Sequence, residues 1–572
     1  MSSSAQPGIP ASADMVVIGS GAAGMTAATV GALSGLEVVL LEATPLFGGT
    51  TAFSGGCVWI PANHHQAAIG IPDDNAKARS YLEAVLGNFF NAEKIDTYLA
   101  KANEMLGFME AHTTVRLSPS DIPDYAPALP GWSQGRCLLT EDFDGNALGA
   151  DFERVRPPIR EMGLFASMQV SPAQAVAMQG WNRSLASLRL TVSRMGGYAL
   201  DRLRGRRGRH MANGNALAGR LFKSARDAGV HLIENARARD LVFADGRVSG
   251  VVFEHGGEKR TIAVRGGAVL ASGGFGQDEA MRQKWMAQSA AGWSLQPEGS
   301  RGDGIRMGES VGGRLNPDNA ANGIWVPASR YTRQDGSVGF FPSLFFDRHC
   351  PGQIMVDARN GKRFVDESFH YQNFGEVTLD KGVTKIWQIA DARAVARYGL
   401  GAIKPTPFRP DKWVRSGYAK KAGTIAELAV QLGLDPVTLA DTVERFNRHA
   451  AAGTDPDFGR GSNAYDAYMG DATHGPNPSL RPLRQGPFYA IEVRPSDLGS
   501  VQGLDTDARA RVLAAEGGNP IPGLYAAGLD NNSIMRGKYP GGGASLGPAM
   551  TFGYVAAREI AAARKAQGAG HV

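Results

Sequence analysis

The chain has 572 residues, of which 43% are hydrophobic and 20% charged, and 60 basic against 55 acidic residues give a net charge of +5. Because a single hydrophobic core stops growing at roughly 250–300 residues, the length predicts two or more domains. The charge is too small and too mixed in sign to favour nucleic acid, so we expect no nucleic-acid partner. Three widely separated cysteines fit neither a disulfide framework nor a zinc site, and we expect a reducing compartment and no metal.

The N-terminus carries no targeting pattern. Residues 1–14 are small and polar, without the basic start and apolar centre of a signal peptide, and no later apolar run reaches the roughly 18 residues of a membrane span. These features predict a soluble, cytoplasmic protein.

One dense basic run, Arg202–Arg209, interrupts this even distribution of charge. A solvated loop explains it most simply. The alternative is peripheral contact with an anionic membrane surface, or with the acidic face of a neighbouring subunit.

Alternating strands and helices predict a doubly wound α/β domain. Met15–Ile18 reads as a strand, Met25–Leu33 as a helix and Glu37–Leu41 as the next strand. Further along, the pattern predicts a helix at Gly214–Asp227, a strand at His231–Ile233, a hairpin of Ala238–Phe243 and Val248–Phe253 that turns at Asp245–Gly246, and a buried strand at Ala268–Ala271.

Residues 322–495 are richer in proline and aromatic side chains and predict a separate lobe with helices at Ile425–Leu432 and Asp435–His449. A strand at Gly523–Gly528 and a helix at Gly547–Ala563 would then pack back on the first domain. We therefore predict a Rossmann-like nucleotide-binding domain formed by residues 1–321 and 496–572, with an α+β substrate domain inserted between its two parts.

Three glycines between the first strand and helix predict a dinucleotide site. Gly19 permits the tight turn, Gly21 lets backbone N–H groups reach a diphosphate, and Gly24 allows close packing of helix on strand. Glu42 ends the second strand, where a carboxylate accepts hydrogen bonds from ribose hydroxyls.

Downstream glycines favour FAD over NAD. Gly48–Thr51 and Ser54–Gly56 continue past the ribose with little side-chain bulk, which suits a longer ligand, and Ser272–Phe275 and Gly541–Gly543 offer further close approaches. Asp303 and Asp530 would either contact the flavin or cap helices, and both interpretations stay open.

Together these segments resemble the fumarate reductase and 3-ketosteroid dehydrogenase flavoprotein superfamily, which implies an α/β Rossmann-like FAD-binding domain. Succinate dehydrogenases in it attach FAD through a histidine near the Gly-Gly-Thr region, where this chain has Thr50 and Thr51, so the resemblance implies non-covalent FAD. The cofactor-binding residues it implies are Gly19, Ser20, Gly21, Ala22, Ala23, Gly24, Glu42, Ala43, Gly49, Thr50, Thr51, Ser54, Gly55, Gly56, Ala238, Ser272, Gly273, Asp303, Gly528, Asp530, Ser545 and Leu546.

Three tyrosines lie in distinctive motifs, although each alone would read as a packing residue with a satisfied hydroxyl. Tyr125 follows Pro-Asp, Tyr371 follows an Arg-Phe-Val-Asp-Glu-Ser segment, and Tyr539 opens a Tyr-Pro-Gly-Gly-Gly run. This pattern is similar to the 3-ketosteroid Δ1-dehydrogenases almost end to end. The resemblance implies that Tyr539 and Gly543 bind the 3-keto oxygen, that Tyr371 abstracts a proton, and that Tyr125 supports it.

The implied reaction removes a proton from C2 and a hydride from C1 of a 3-ketosteroid, the hydride passing to N5 of the flavin. An external acceptor, such as a quinone or dye, would reoxidise the cofactor. A tyrosine with the usual pKa near 10 is a poor base at neutral pH, so we expect positive potential or a relay partner at Tyr371.

Departures from the family pattern keep other interpretations open. His370 and Asp366 replace residues expected to be small or amide-bearing, and the segment Arg136–Arg209 is longer than in compact members. Rivals are desaturation of the 4,5 bond of a 5α-steroid, a fumarate-reductase-like ene-reductase, and a non-catalytic FAD protein. The reductase would clamp two carboxylates, for which Arg494, Arg536 and His370 are candidates.

Overall fold

A computed structural model describes residues 8–165, 167–286, 289, 292–344 and 347–569. Up to residue 310 the strands are β1 Ser12–Ile18, β2 Val38–Leu41, β3 Cys57–Trp59, β4 Leu117–Ser118, β5 Cys137–Thr140, β6 Phe143–Asp144, β7 His210–Met211, β8 His231–Ile233, β9 Arg237–Ala244, β10 Arg247–His255 and β11 Glu258–Leu270. The helices of this part are α1 Ala22–Leu33, α2 His64–Ala68, α3 Asn75–Leu86, α4 Ala92–His112, α5 Pro172–Gln179, α6 Leu185–Leu203, α7 Asn213–Asp227, α8 Glu279–Trp285 and α9 Asp303–Ser310.

The remaining elements follow in the same order. The strands are β12 Gly323–Thr332, β13 Val338–Pro342, β14 Gln353–Asp357, β15 Ile386–Asp391, β16 Ala419–Ala422, β17 Phe488–Ser500, β18 Arg511–Leu513 and β19 Pro520–Ala526. The helices are α10 Tyr371–Asp380, α11 Ala392–Tyr398, α12 Asp411–Arg415, α13 Ile425–Leu432, α14 Pro436–Ala451, α15 Ala464–Met469 and α16 Leu546–Ala569. None of these described helices combines the length and apolarity that crossing a bilayer requires.

The first sheet has the strand order β18-β19-β11-β1-β2-β8, in which β19, β11, β1, β2 and β8 are parallel. Its strands β1 and β2 are almost fully buried, because α1 and α16 pack on one face and β9, β10 and α9 pack on the other. The predicted hairpin is confirmed: β9 and β10 pair as an antiparallel extension from β11. Asp245 and Gly246 both have positive φ, of 51° and 73°, as a two-residue hairpin turn requires.

The second sheet is antiparallel, in the order β13-β12-β17-β15-β14, with β16 also on β17. Separate apolar clusters pack on it, one built around α13 and α14 and one around α10 and α11. The α/β fold with a second, antiparallel unit agrees with the prediction. Strand β17 runs through residue 495, where the sequence placed the domain boundary, and the exact division into domains stays a prediction.

Helix α13 shows how local signals set the bounds of an element. The Thr424 hydroxyl accepts from the Glu427 N–H at 3.1 Å, and the Glu427 carboxylate accepts from the Thr424 N–H at 3.2 Å. Gly433 then ends the helix in the left-handed region, with φ of 72°. The predicted range Ile425–Leu432 is confirmed, whereas α14 begins at Pro436 because Asp435 is its N-cap.

Candidate active site

A cleft runs from the N-terminus of α1 into the space between the two sheets. Its lining extends without a break from Gly19 and Gly21 at one end to Tyr371 and Tyr539 at the other, which suits a long cofactor with a substrate beside it. The predicted cofactor residues line it, with the exceptions of Gly24, Gly56 and Asp530. The predicted catalytic residues Tyr125, Tyr371, Tyr539 and Gly543 line the same cleft.

Two of the three exceptions are glycines that serve packing. A Cβ on Gly24 would lie 2.0 Å from the carbonyl oxygen of Gly19, so only glycine lets α1 approach the turn before it. Gly56 has φ of 70°, and its Cβ would lie 2.4 Å from the backbone of Asn213. Both therefore shape the cleft from behind its wall.

The third exception, Asp530, is buried and holds a turn. Its carboxylate accepts from the Ser272 hydroxyl at 3.0 Å and the Gly274 N–H at 3.3 Å, and burial raises its pKa to about 6. Asp303, by contrast, lines the cleft and pairs with Arg237 at 2.8 Å. Neither aspartate is the N-cap of a helix, since α9 is capped by Gly302.

The end of the cleft beside α1 fits a dinucleotide diphosphate. A Cβ on Gly21 would meet nothing nearer than 3.8 Å, so this position faces the open cleft and leaves it free for a ligand. Thr50 lines the same space, and its buried hydroxyl has no hydrogen-bond partner among the residues that the structure describes. Thr51 accepts from the Ala22 N–H at 2.9 Å and so fixes this glycine-rich loop on the helix N-terminus. The Thr50 hydroxyl and the N-terminus of α1 therefore suit phosphate oxygens.

Three tyrosines from distant parts of the chain meet at the other end of the cleft. The ring centroids of Tyr371 and Tyr539 are 5.3 Å apart, those of Tyr125 and Tyr371 5.8 Å, and those of Tyr125 and Tyr539 6.1 Å. The Tyr539 hydroxyl lies 3.1 Å from that of Ser545. Gly543 has φ of 91°, and its N–H donates to no other group among the described residues. A phenol and a free amide thus border the same space.

One carbonyl oxygen, that of Pro540, aligns two of these tyrosine segments. It accepts from the Tyr125 N–H at 2.9 Å and from the Tyr81 hydroxyl at 2.7 Å. The Tyr81 hydroxyl in turn accepts from the Ala126 N–H at 3.1 Å. Tyr81 is therefore a positioning residue that the sequence did not reveal, because nothing in its own neighbourhood distinguishes it from a core tyrosine on α3.

A buried ion-pair cluster holds the loop before Tyr125. Arg136 donates to Asp124 at 2.8 Å and to Asp73 at 2.7 Å, and its side chain is fully buried. Trp59 donates to the other Asp124 oxygen at 2.8 Å. Burial raises the pKa of Asp124 to about 7, against the opposing influence of Arg136.

Arg136→Met should therefore destabilise the fold by about 3–5 kcal/mol, because it leaves two buried carboxylates without their cation. The measurement is urea unfolding of the holoenzyme, followed by far-UV circular dichroism. Arg79→Met is the matched control, since Arg79 pairs with Asp96 on the exposed surface, and it should leave the urea midpoint almost unchanged. Equal midpoints for the two variants would contradict a structural role for the cluster.

The Arg-Phe-Val-Asp-Glu-Ser segment before Tyr371 belongs to a second buried network of ion pairs and hydrogen bonds. Arg363 donates to Glu367 at 2.7 Å and to Asp455 at 2.8 Å, and Arg460 also approaches Glu367, at 3.4 Å. Arg348 donates to the carbonyl oxygen of Phe369 at 2.6 Å. Arg363 and Glu367 thus fix the backbone from which α10 starts, and neither residue lines the cleft.

Burial, not a cation, dominates the electrostatics of the tyrosines. It raises the pKa of Tyr371 well above the usual value, and the neighbouring Tyr125 and Tyr539 raise it further. His370 stacks on Tyr125 at 4.7 Å, and burial together with Arg348 lowers the His370 pKa to about 3, so this imidazole is neutral. Among the described residues, no cation supplies the expected positive potential at Tyr371, whereas Tyr125 is a neighbour suited to a relay.

The wall facing the tyrosines is apolar. It is lined by Leu295, Ile324, Leu344 and Leu498, which the sequence did not single out because they are scattered over more than 200 residues without a motif. Arg156 also lines the cleft, but it donates to the Thr44 hydroxyl at 2.8 Å and so belongs to the nucleotide end.

The candidate carboxylate clamps are not assembled. Arg494 pairs with Glu492 at 2.7 Å, and Arg536 donates to a backbone carbonyl at 3.4 Å. Neither these arginines nor His370 lines the cleft.

In the part of the chain that the structure describes, two groups outside the cleft have ligand atoms close enough for an ion, although the sequence showed no metal spacing. They are His64 with His65 and Glu110, and His449 with Asp455 and Asp457.

Known proteins are similar to this chain over almost its whole length. The family described as FAD binding domain matches residues 14–546. The 3-oxosteroid 1-dehydrogenase of Mycolicibacterium smegmatis is 38% identical, covering 96% of this chain and 97% of the relative. The 4-oxocyclohex-2-ene-1-carboxylate 5-dehydrogenase of Sinomonas cyclohexanicum is 37% identical, covering 96% and 93%.

A solved structure is similar to the same extent. The 3-ketosteroid delta1-dehydrogenase from Sterolibacterium denitrificans, in complex with 1,4-androstadiene-3,17-dione, is 33% identical with a TM-score of 0.89, covering 97% of this chain and 100% of that one. With the glycine-lined cleft and the converging tyrosines, these matches identify the cofactor as FAD. The chain belongs to the FAD-binding flavoprotein family that includes the 3-oxosteroid 1-dehydrogenases.

Proposed function

We propose that the protein is an FAD-dependent 3-oxosteroid 1-dehydrogenase, which introduces a double bond between C1 and C2 beside a 3-keto group. The observation that carries this proposal is the convergence of Tyr125, Tyr371, Tyr539 and Gly543 on one apolar cleft continuous with the dinucleotide end. A neutral, flat ketone suits such a wall, because apolar surface and a few hydrogen-bond donors are what it offers.

Each residue has a distinct role in this proposal. The Tyr539 hydroxyl and the Gly543 N–H donate to the ketone oxygen and stabilise the negative charge that develops there. Tyr371 accepts the proton from C2, and Tyr125, packed against it, passes the proton on. Bound FAD supplies the hydride acceptor. Ser545, next to the Tyr539 hydroxyl, keeps that phenol oriented.

The position of the new double bond is tested by product analysis. We expect androst-4-ene-3,17-dione to yield the 1,4-diene, identified by mass spectrometry and NMR. Exclusive desaturation of the 4,5 bond of a 5α-reduced 3-ketone would instead support the 4-dehydrogenase alternative. A flavin that does not bleach anaerobically with any ketosteroid would indicate a non-catalytic FAD protein.

A second candidate substrate class is the small oxocyclohexane carboxylates, because two relatives at 37% and 36% identity carry names of that kind. Such a substrate needs a cationic partner for its carboxylate. The described lining residues offer Arg156 alone, at the nucleotide end, so the apolar wall favours the steroid. Flavin reduction by 4-oxocyclohexanecarboxylate at rates above those with androstenedione would reverse this preference.

We further propose that FAD is held without a covalent bond, because threonines occupy the region where some relatives carry the attaching histidine, and no histidine is among the described lining residues. Denaturing the holoenzyme in acid and removing the precipitate should leave all the yellow colour in the supernatant. Flavin fluorescence that stays with the protein band on a denaturing gel would contradict this.

The reduced cofactor needs an external acceptor, which we propose to be a quinone, replaced by a dye in assays. We also propose peripheral contact with an anionic membrane surface through the exposed arginines Arg202, Arg204 and Arg206 of the basic run.

The pH dependence follows from the raised pKa of Tyr371. If its deprotonated form takes the proton, the reactive fraction increases about tenfold per pH unit below that pKa, so kcat/KM should rise from pH 7 to pH 9. The measurement is initial rate at low substrate concentration with a pH-independent dye. A flat profile with unchanged stability would exclude rate-limiting ionisation of this phenol.

A further inference from the structure

Two consecutive histidines of α2 and one glutamate of α4 converge at the surface of the protein, outside the cleft. The Nε2 atom of His64 lies 3.2 Å from the Glu110 carboxylate, and the Nε2 atom of His65 lies 3.0 Å from it. The side chains of His65 and Glu110 are 20% and 16% exposed, whereas that of His64 is 57% exposed. An ion can therefore reach these three side chains from solvent without any opening of the fold.

Hydrogen bonding alone satisfies this arrangement poorly. The two imidazole rings have centroids only 4.1 Å apart, and both present Nε2 to the same carboxylate. Two protonated imidazoles at this distance would repel each other. Among the described residues, no lysine or arginine pairs with Glu110. One cation between the three side chains would satisfy the carboxylate and both neutral ring nitrogens together.

The spacing and the chemistry of these ligand atoms suit zinc. Bonds of about 2.0–2.1 Å to nitrogen and oxygen place neighbouring ligands of a tetrahedral ion about 3.3–3.4 Å apart. The nitrogen–oxygen separations of 3.0 and 3.2 Å are close to this value, and all three ligand atoms lie within 4.8 Å of one another. Two imidazoles and a carboxylate suit zinc, with a fourth position left for water, whereas magnesium and calcium prefer oxygen ligands.

Hydrogen bonds around the three side chains hold them in place. The Glu110 carboxylate also accepts from the Leu117 N–H at 3.2 Å, which orients it from β4. The Asn63 side chain caps α2 by accepting from the Gln66 N–H at 2.9 Å. Gln66 in turn donates to the carbonyl oxygen of Gln134 at 2.8 Å. The histidines and the glutamate thus start from fixed elements, and little movement is needed to bind an ion.

The second group of ligand atoms, from His449, Asp455 and Asp457, is less suited to a metal ion. Asp455 accepts from Arg363 at 2.8 Å, and Asp457 pairs with Arg445. Because an arginine already compensates each carboxylate, a metal ion there would be repelled by two positive charges. The glutamate of the first group has no such partner among the residues that the structure describes.

We propose that His64, His65 and Glu110 form a zinc site that links α2 to α4. The expectation of no metal rested on sequence spacing, and Glu110 lies 45 residues after His65 and meets it only in the fold. None of the three residues lines the cleft, so the ion contributes to stability and not to the chemical step. The proposal does not depend on which ketone the cleft accepts.

The test is equilibrium dialysis of the EDTA-treated holoenzyme against zinc chloride, with the bound metal counted by mass spectrometry. We expect one zinc ion per chain with a Kd of about 10 μM or tighter, and no binding of magnesium at the same concentration. His65→Ala and Glu110→Gln should each weaken zinc binding at least about tenfold, because each removes one of three ligands. Zinc should raise the urea midpoint of the wild type and leave that of His65→Ala unchanged.

Two variants serve as matched controls. His112→Ala removes an exposed imidazole from the same helix as Glu110, and His449→Ala removes the imidazole of the second group. Both should bind one zinc ion with the affinity of the wild type. Urea midpoints without metal should be equal in the wild type and His65→Ala, which separates the loss of a ligand from a loss of folding.

Three results would overturn the proposal. The first is weak binding of several zinc ions per chain without saturation, which would indicate adventitious surface coordination only. The second is wild-type affinity in His65→Ala or Glu110→Gln. The third is loss of zinc binding in His449→Ala, which would assign the ion to the second group. A bound zinc ion that leaves the urea midpoint of the wild type unchanged would contradict the link between α2 and α4.

Discussion

Tyr371→Phe is expected to lower kcat by about 10²–10⁴-fold while the yellow flavin stays bound, because the variant loses the group proposed to take the C2 proton. The ring remains to fill its place against Tyr125 and Tyr539, so no cavity opens at the start of α10. The measurement is the anaerobic rate of flavin bleaching by androst-4-ene-3,17-dione in a stopped-flow instrument, which isolates the chemical step from reoxidation.

Tyr398→Phe is the matched control for this experiment. Tyr398 ends α11 and packs against the same apolar cluster as α10, and its hydroxyl donates to Asp471 at 2.7 Å away from the cleft. It should bleach like the wild type. Near-wild-type bleaching by Tyr371→Phe would remove this residue from the mechanism, and another base would then have to be found in the cleft.

Tyr539→Phe should cost about 10²–10³-fold in kcat, since one of two proposed donors to the ketone oxygen is lost. Gly543→Ala should be at least as damaging, for a steric reason. A Cβ at this position, where φ is 91°, would lie 2.5 Å from the backbone of Cys57 and would displace the second donor. Both effects should appear mainly in kcat, because the donors act most strongly on the charge that develops during reaction.

Tyr554→Phe supplies the control for the second prediction. Tyr554 is buried on the following helix, and its hydroxyl donates to Glu104 at 2.7 Å. Unchanged steady-state kinetics are expected. If Tyr539→Phe raises KM alone with kcat intact, the phenol contributes binding that is equal in ground and transition states, and the proposed charge stabilisation is wrong.

The nucleotide half of the cleft was predictable because its signals are local. Gly19, Gly21 and Glu42 follow one another at the ends of neighbouring strands, and the turn between parallel strands and helix always places such positions at one edge of a sheet. The hairpin turn at Asp245 and Gly246 and the capped ends of α13 were predictable for the same reason, since each depends on side chains within a few residues.

The buried contacts that hold the tyrosine end of the cleft in place were not predictable from one sequence. The Pro540 carbonyl receives a hydroxyl from Tyr81, 459 residues away, and Arg136 joins Asp73 to Asp124 across a fold that must already exist. The tyrosines themselves were found through resemblance to a family, because a lone tyrosine in a proline-rich loop has no distinctive pattern.

Periodicity was least informative on the Arg136–Arg209 segment. The apolar positions of α6 repeat at helical spacing, which normally indicates the buried side of a helix. Here Arg194 pairs with Asp142 and the Tyr198 hydroxyl donates to a backbone carbonyl, so the apolar side is left outside, with Leu185 74% and Leu203 85% exposed. Only the folded contacts decide which side of such a helix faces inward.

The distribution of the tyrosines over the two sheets has an evolutionary consequence. Tyr371 begins a helix of the inserted unit, whereas Tyr539 and Gly543 precede α16, which packs on α1 of the nucleotide-binding unit. Recombination that exchanged the insert between relatives would move the proposed proton acceptor together with one wall of the cleft and leave the proposed oxygen-binding pair in place. New ring shapes are thus accessible to this architecture without rebuilding its redox half.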